Sequence, residues 1–506
     1  MAQSLLYARR TDLRSRNNLH GIIAGMEGNM KAPFSEYLSL IAQPLKDVVS
    51  LLQNDYEYVS ALASDSKGLN VRISAHAKSV SDKTMANERG IVFRAAKEGR
   101  YCEYAFNEFD YEHPQQEYRR IKAALDEQYE LLSETGTKIY ETPLPKDEPC
   151  TLFHQSQTEQ LPETADIDGI VKRFTSLCEK AMNMTSFMID CTLSGQSTHV
   201  CKMFITAKRM MKQSYVYSEA TIVPVVSKEG RNQYAYEGIS GLCGPELFDQ
   251  LGAKLEKAVN DAVELLDAGR IVPGEYEIIT SPEVTGLIAH EAFGHGVEMD
   301  MFVKNRALGA EYINQRVASD LVSMHEGALC AENVTSYAFD DEGNPADDVT
   351  EIDHGILKTG ICDELSALRL GVRATGNGKR ENFEHKVYTR MTNTVFDSGT
   401  DKVEDMIASV KYGYLLEGME SGMEDPKHWG IQCIVKCGRE IIDGKLTGRI
   451  VSPVILTGYV PQVLGNITMV SDDREIFGTG GCGKGYKEWV KVADGGPYLK
   501  TKARLG

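Results

Sequence analysis

SPEVTGLIAHEAFGHGVEMD, residues Ser281–Asp300, is the stretch from which the organisation and chemistry of this chain are read. Ser281 is a good N-cap, Pro282 suits the first helical position, and Glu283 favours the positive end of the helix dipole. These signals predict a helix from Pro282 through about Gly294. It carries His290, Glu291 and His295 in an H-E-x-x-x-H pattern. In the better-known H-E-x-x-H arrangement the histidines stand four apart, about 40° round the helix, and both rings reach one ion. Five apart is about 140° on a regular helix, and the rings diverge. A π-bulge or a helix end must absorb the extra residue. Gly294, with Gly296 behind it, offers the backbone freedom to do so. The competing reading is of ordinary core or surface histidines.

A catalytic zinc usually has three protein ligands and one open position. Glu298 and Asp300 could bind directly or orient a ligating histidine. Cys482 is the other candidate, in the glycine-flanked run FGTGGCGKG at Phe477–Gly485. There the backbone can approach an ion, and a nearby cation favours the thiolate. Gly478, Gly483 and Lys484 also satisfy the first part of a phosphate-binding loop. Gly485 stands where that motif needs Ser or Thr, and too few residues follow for the remaining βαβ units.

Outward from this centre, the segments from Asn333 to the C-terminus alternate like strands between Gly- and Asp-rich turns. Cys433 and Cys437 lie in one of them and read as core residues, about 13 Å apart on a strand. Asp340, Asp341 and Glu342 read as a turn, since no ladder of oxygen ligands follows. Upstream, Leu247, Leu251, Leu255, Val259, Val263 and Leu266 form the apolar stripe of a helix over 246–268. Strands are predicted over 186–226 and a helix over 170–182. Further helices are expected over 115–132 and 35–53, with short strands over 58–63, 68–75 and 90–95. Pro143, Pro145 and Pro149 mark a linker around 142–167. The expected layout is an N-terminal extension over 1–34, with Met30 an alternative start, then an N-terminal α/β domain over 35–185. A β-rich, mainly antiparallel C-terminal domain over 186–506 carries the metal-site helix. The class is α+β.

With 506 residues, 42% hydrophobic and 25% charged, the chain has the composition of a globular protein of more than one domain. The net charge of -18 opposes nucleic acid and anionic membrane. No apolar run approaches the roughly 18 residues that span a bilayer. Arg9 and Arg10 lack the apolar stretch of an export signal. Eleven scattered cysteines suit reduced thiols in a cytoplasm.

Seven separated blocks carry a resemblance to a known family. They are YEG at Tyr236–Gly238, HEAFGHGVE at His290–Glu298, DDEG at Asp340–Gly343, GILKTG at Gly355–Gly360, TGNGKR at Thr375–Arg380, RMTNT at Arg390–Thr394 and GCGK at Gly481–Lys484. From about Tyr234 to Pro497 the sequence resembles the TldD/PmbA family of modulator-of-gyrase-type proteases, close to its TldD branch. ERGIVFRAAKEGR at Glu88–Arg100 is a weaker match. The resemblance implies a zinc metallopeptidase in which His290, His295 and Cys482 hold the ion and Glu291 acts as general base. It implies small or unfolded peptides as substrates. It also implies a dimer, either of like chains or with a related TldE/PmbA-type chain. Arg390 and Asn393, in the RMTNT block, are candidates for gripping the peptide backbone; the alternative is that they satisfy turns at a strand end. After the cysteine the chain departs from the family's Gly-Gln and Val-Pro-Val segment, reading YKEWVKV at Tyr486–Val492. Two other readings stand beside this one. The chain could be a non-catalytic partner that keeps its metal for structure. It could also be a different HExxGH-type peptidase, such as a dipeptidyl peptidase, with a glutamate as third ligand.

Overall fold

The structure, a computed structural model, describes residues 30–134, 140–486 and 488–506. The arginine-rich start and the choice between Met1 and Met30 concern residues that lie outside the described ones, apart from Met30 itself. Met30–Lys31 pairs with Gln157–Thr158, so this end of the expected extension is part of the fold.

Helix Glu36–Leu52 forms where its apolar residues recur at three and four. Ser35 caps it by accepting from the Leu38 amide at 3.1 Å. It packs with helix Pro114–Glu134 on one face of a ten-stranded sheet. At the centre of that sheet are two long antiparallel strands, Met188–Thr206 and Arg209–Lys228. Alternation along the first of them sets the architecture. Cys201, Met203 and Ile205 face the helices, whereas Val200, Lys202 and Phe204 face the C-terminal half.

The second sheet has eleven strands. Gly274–Thr280 pairs in parallel with Tyr412–Asp425 and antiparallel with Ala493–Leu505. A ring closes through Gly430–Ile442 and Val454–Tyr459. The helix that starts at Pro282 packs against this ring, and Val284, Leu287, Ile288 and Phe293 enter its core. The fold is thus α+β and strand-rich. Among the described residues no helix is long and apolar enough to cross a membrane.

The structure moves the expected domain boundary. A cut at 185/186 would separate Met188–Thr206 from Tyr58–Asp65, its neighbour in the same sheet. The proline-rich stretch ends in Cys150–Gln155, which lies parallel to Arg209–Ser214 and is a connection within one sheet. The change of sheet falls between Gly241 and Gly274. The apolar stripe over 246–268 is present, but its backbone is divided: Pro245–Lys254 and Leu265–Asp267 are 3-10 turns on either side of an α-helix, Leu255–Glu264.

Buried charges join the two halves. Arg94 donates to Glu103 at 2.7 Å and to Glu342, Arg380 reaches Glu103 at 2.9 Å, and Lys202 meets Asp341 at 2.5 Å. The DDEG block that supplies Asp341 and Glu342 turns at Gly343 with φ +75°. A Cβ there would lie 2.2 Å from the Phe204 ring, so only glycine fits. Removing one partner of such a network leaves uncompensated buried charge. Arg94→Ala should therefore destabilise the protein by about 3–5 kcal/mol in chemical denaturation, and a loss under about 1 kcal/mol would contradict the network's role.

Candidate metal centre

The helix begins as the sequence predicts. Pro282–Ala289 is α-helical, with Ser281 extended at the N-cap and its hydroxyl accepting from Val284. At His290 the winding changes. His290–Gly294 is a π-turn, closed by the His295 amide donating to the His290 carbonyl at 3.1 Å. One extra residue in the turn brings positions 290 and 295 back to the same face. The two imidazole centroids lie 5.0 Å apart with perpendicular planes.

Gly294 serves this turn for a different reason than expected. Its φ is not left-handed. A Cβ there would instead stand 2.2 Å from the Met391 sulfur, so the glycine provides clearance rather than backbone freedom. Gly286, earlier in the helix, lets the last strand approach: a Cβ would meet the Gly495 amide and an Asp494 carboxylate oxygen, each at 2.6 Å.

Cys482 comes from the hairpin formed by Gly481–Lys484 and Glu488–Lys491. Its Sγ is 3.3 Å from Nε2 of His295. The three donor atoms of His290, His295 and Cys482 lie within 4.8 Å of one another. A tetrahedral zinc with N and S ligands needs donor separations of about 3.3–3.6 Å, so the group fits such an ion after small adjustments. Burial would raise the Cys482 thiol, but His295 and His290 hold it well below its usual range, as a thiolate ligand requires.

Each histidine is backed by a carboxylate. Glu298 accepts from His295 Nδ1 at 3.0 Å and from Lys484 Nζ at 3.0 Å. Burial would raise it, yet Lys484 and His295 keep it ionised at about 2. Asp494 Oδ2 lies 3.8 Å from His290 Nδ1, and burial pushes Asp494 up to about 6. His290 Nδ1 and Asp494 Oδ1 are buried without a hydrogen-bond partner, and an ion drawing the ring would complete that pair. Asp300 pairs with Lys484 at 2.8 Å, so Glu298 and Asp300 support the histidines and the hairpin. Neither belongs to the converging group.

Glu291 is buried against strand Tyr412–Asp425, and burial raises its carboxyl. Gly422 makes room for it, since a Cβ there would lie 2.7 Å from Glu291 Oε1. Glu424, two residues on, has both carboxyl oxygens buried without a partner, and burial pushes it to about 9. Gly296 approaches it closely, since a Cβ there would lie 3.2 Å from Glu424 Oε1, which places this carboxyl beside the centre. Asp494, Gly422 and Glu424 were not singled out from the sequence.

Arg390 and Asn393 are corrected by their surroundings. Arg390 is fully buried and donates to the carbonyls of Cys482 at 2.6 Å and Glu488 at 3.0 Å. It clamps the hairpin. Asn393 is fully buried, donating to the Gly327 carbonyl at 3.1 Å and accepting from Thr335 at 2.7 Å. Neither has a free face for a peptide, which matches the turn-satisfying alternative.

Residues 273–502 match the family described as the PmbA/TldA metallopeptidase C-terminal domain. A metalloprotease of Methanocaldococcus jannaschii is 30% identical over 56% of this chain and 61% of its own. A protein of Saccharolobus solfataricus named zinc metalloprotease TldD homolog is 29% identical over 51% of this chain and 57% of its own. The chain thus spans about three-fifths of the length of these relatives. The crystal structure of TldE from Thermococcus kodakarensis superposes with a TM-score of 0.70 at 15% identity, covering 92% of this chain and 100% of that one. It shares the fold.

Because Glu298 orients His295 and keeps Lys484 in place, Glu298→Gln should weaken zinc affinity by about 10–100-fold in competition with a chromophoric chelator. Unchanged affinity would contradict its supporting role.

Proposed function

We propose that this chain, which belongs to the TldD/PmbA family, is a zinc-dependent peptidase with His290, His295 and Cys482 as ligands and Glu291 as general base. The observation that carries this reading is the convergence of three donor atoms from a π-turn and a distant hairpin, beside a buried glutamate. Two imidazoles and a thiolate are the donor chemistry of a zinc site, and three protein ligands leave one position open. Zinc bound there supplies Lewis acidity, which polarises a scissile carbonyl and lowers the pKa of a water from 15.7 to about 7.

The chain's own residues do the rest. Glu291, one residue past His290, accepts the proton of the attacking water on a carboxylate oxygen and later delivers it to the leaving amine. Its burial favours this, because a carboxyl with a raised pKa exchanges protons nearer neutrality. Glu298 holds His295 through Nδ1 and fixes that ring, while Asp494 stands 3.8 Å from Nδ1 of His290, placed to take its proton when the ring shifts. Lys484, bonded to Glu298 and Asp300, ties the cysteine hairpin to the segment after the helix.

The substrates proposed are small or unfolded peptides, and the assembly a dimer, of like chains or with a TldE/PmbA-type chain. A cytoplasmic setting suits the thiolate ligand and the free cysteines. Relatives named metalloproteases and the donor set support the peptidase reading.

Purified protein should contain one zinc per chain and cleave an unfolded peptide. Glu291→Gln should keep the zinc and lose at least about 10²-fold in kcat. Gly422→Ala should do likewise by displacing Glu291. Cys482→Ser should lose the metal. If Glu291→Gln cleaves normally, Glu291 is not the base; if Cys482→Ser binds zinc as tightly, the sulfur is not a ligand.

A further inference from the structure

Between the first sheet and the Cys482 hairpin lies a cavity of about 70 Å³ that the metal centre does not use. The space is large enough to take a carboxylate, with the body of a ligand reaching out past the open rim. Tyr215, Tyr217 and Tyr337 line it from one side, and Trp489, on the outer strand of the hairpin, from the other. Met85 and Trp489, 38% and 46% exposed, stand at its rim and leave it open to solvent.

The cations of this cavity are not equivalent. Lys202 is paired with Asp341, Lys491 with Glu219, and Arg380 with Glu103. Lys379 has no carboxylate within ion-pair distance among the described residues. Its ammonium donates to one acceptor, the Lys491 carbonyl at 2.8 Å, and sits 6.0 Å from the centre of the Tyr337 ring. Burial, with Arg390 close by, depresses it to about 7. An ammonium carries three donors. One faces the hairpin backbone, which leaves two donors without a direct partner in the wall of an aromatic-lined space that Glu88, Asp340, Asp341 and Glu381 also border. An anion entering there would gain charge-assisted hydrogen bonds, and the rings would cover a flat or apolar body.

We propose that this cavity binds the carboxylate of a small apolar or aromatic ligand, with the Lys379 ammonium as counter-charge. A peptide's C-terminal carboxylate and a free aromatic acid share this chemistry. Trp489 and Lys491 alternate with Val490 along their strand, so their side chains leave the hairpin on the face away from the Cys482 sulfur. Val490, which pairs with Cys482 across the ladder, lines the cavity and packs against Cys482. The binding does not depend on peptide cleavage.

The test uses the zinc-loaded full chain and the fluorescence of Trp489, since Trp429 is fully buried elsewhere. N-Acetylphenylalanine and phenylacetate are titrated against the corresponding amides, N-acetylphenylalaninamide and phenylacetamide. At least one acid should bind ten-fold or more tighter than its amide, Trp489→Phe should remove the signal, and Lys379→Met should abolish the preference. The acid that binds more tightly identifies the source, a peptide end or a free aromatic acid. Equal affinity of acids and amides, absence of binding, or a preference that survives in Lys379→Met would overturn the proposal. If Lys379→Met does not fold, the acid–amide comparison on the unaltered chain decides. Peptide digestion is scored separately, so failure of this site and failure of the peptidase reading are distinguishable.

Discussion

The hydrogen bond from the His295 amide to the His290 carbonyl, five residues back, is the constraint on which the centre depends. A regular α-helix would bond His295 to Glu291 and turn the two rings away from each other. The longer step aligns them and leaves Glu291 pointing towards Gly422 rather than into the donor group. π-Turns are uncommon because their bonds enclose a poorly filled ring of backbone. Here the surroundings hold the turn in place: Met391 presses on Gly294, Phe293 stacks edge-on to the buried Trp429, and the last strand meets the helix at Gly286.

The rest of the centre is held from outside the helix. Arg390 spends two of its guanidinium donors on both arms of the Cys482 hairpin, and Lys484 bonds back to Glu298 and Asp300. Asp494 arrives on the strand that closes the ring of the second sheet. The Cys482 sulfur is therefore positioned by the whole C-terminal half, although it is almost two hundred residues from the histidines. The same hairpin forms a wall of the cavity around Lys379, so a single element borders both the candidate metal centre and this cavity.

What the sequence makes legible is what is local. The cap at Ser281, the start at Pro282 and the need for an irregular turn before His295 all follow from neighbouring residues, and the structure has each of them. The periodic helix over 36–52 and the alternating strands are legible for the same reason. Non-local pairing is not. Nothing within Met188–Lys228 announces that Tyr58–Asp65 is its neighbour, and a run of prolines that leads into a strand of the same sheet reads like a linker. Arg390 and Asn393 show a second limit, because a polar side chain that braces buried carbonyls and one that grips a substrate are the same residue in a sequence. Asp494, Gly422 and Glu424 lie in ordinary strand contexts and gain meaning only from the helix brought against them.

X-ray absorption at the zinc edge of the purified protein reads the donor set of His290, His295 and Cys482 without altering any residue. One sulfur near 2.3 Å and two imidazole nitrogens at about 2.0–2.1 Å are expected, with a lighter oxygen or nitrogen donor completing four in this donor set. A first shell without sulfur, or one with a single imidazole, would contradict it.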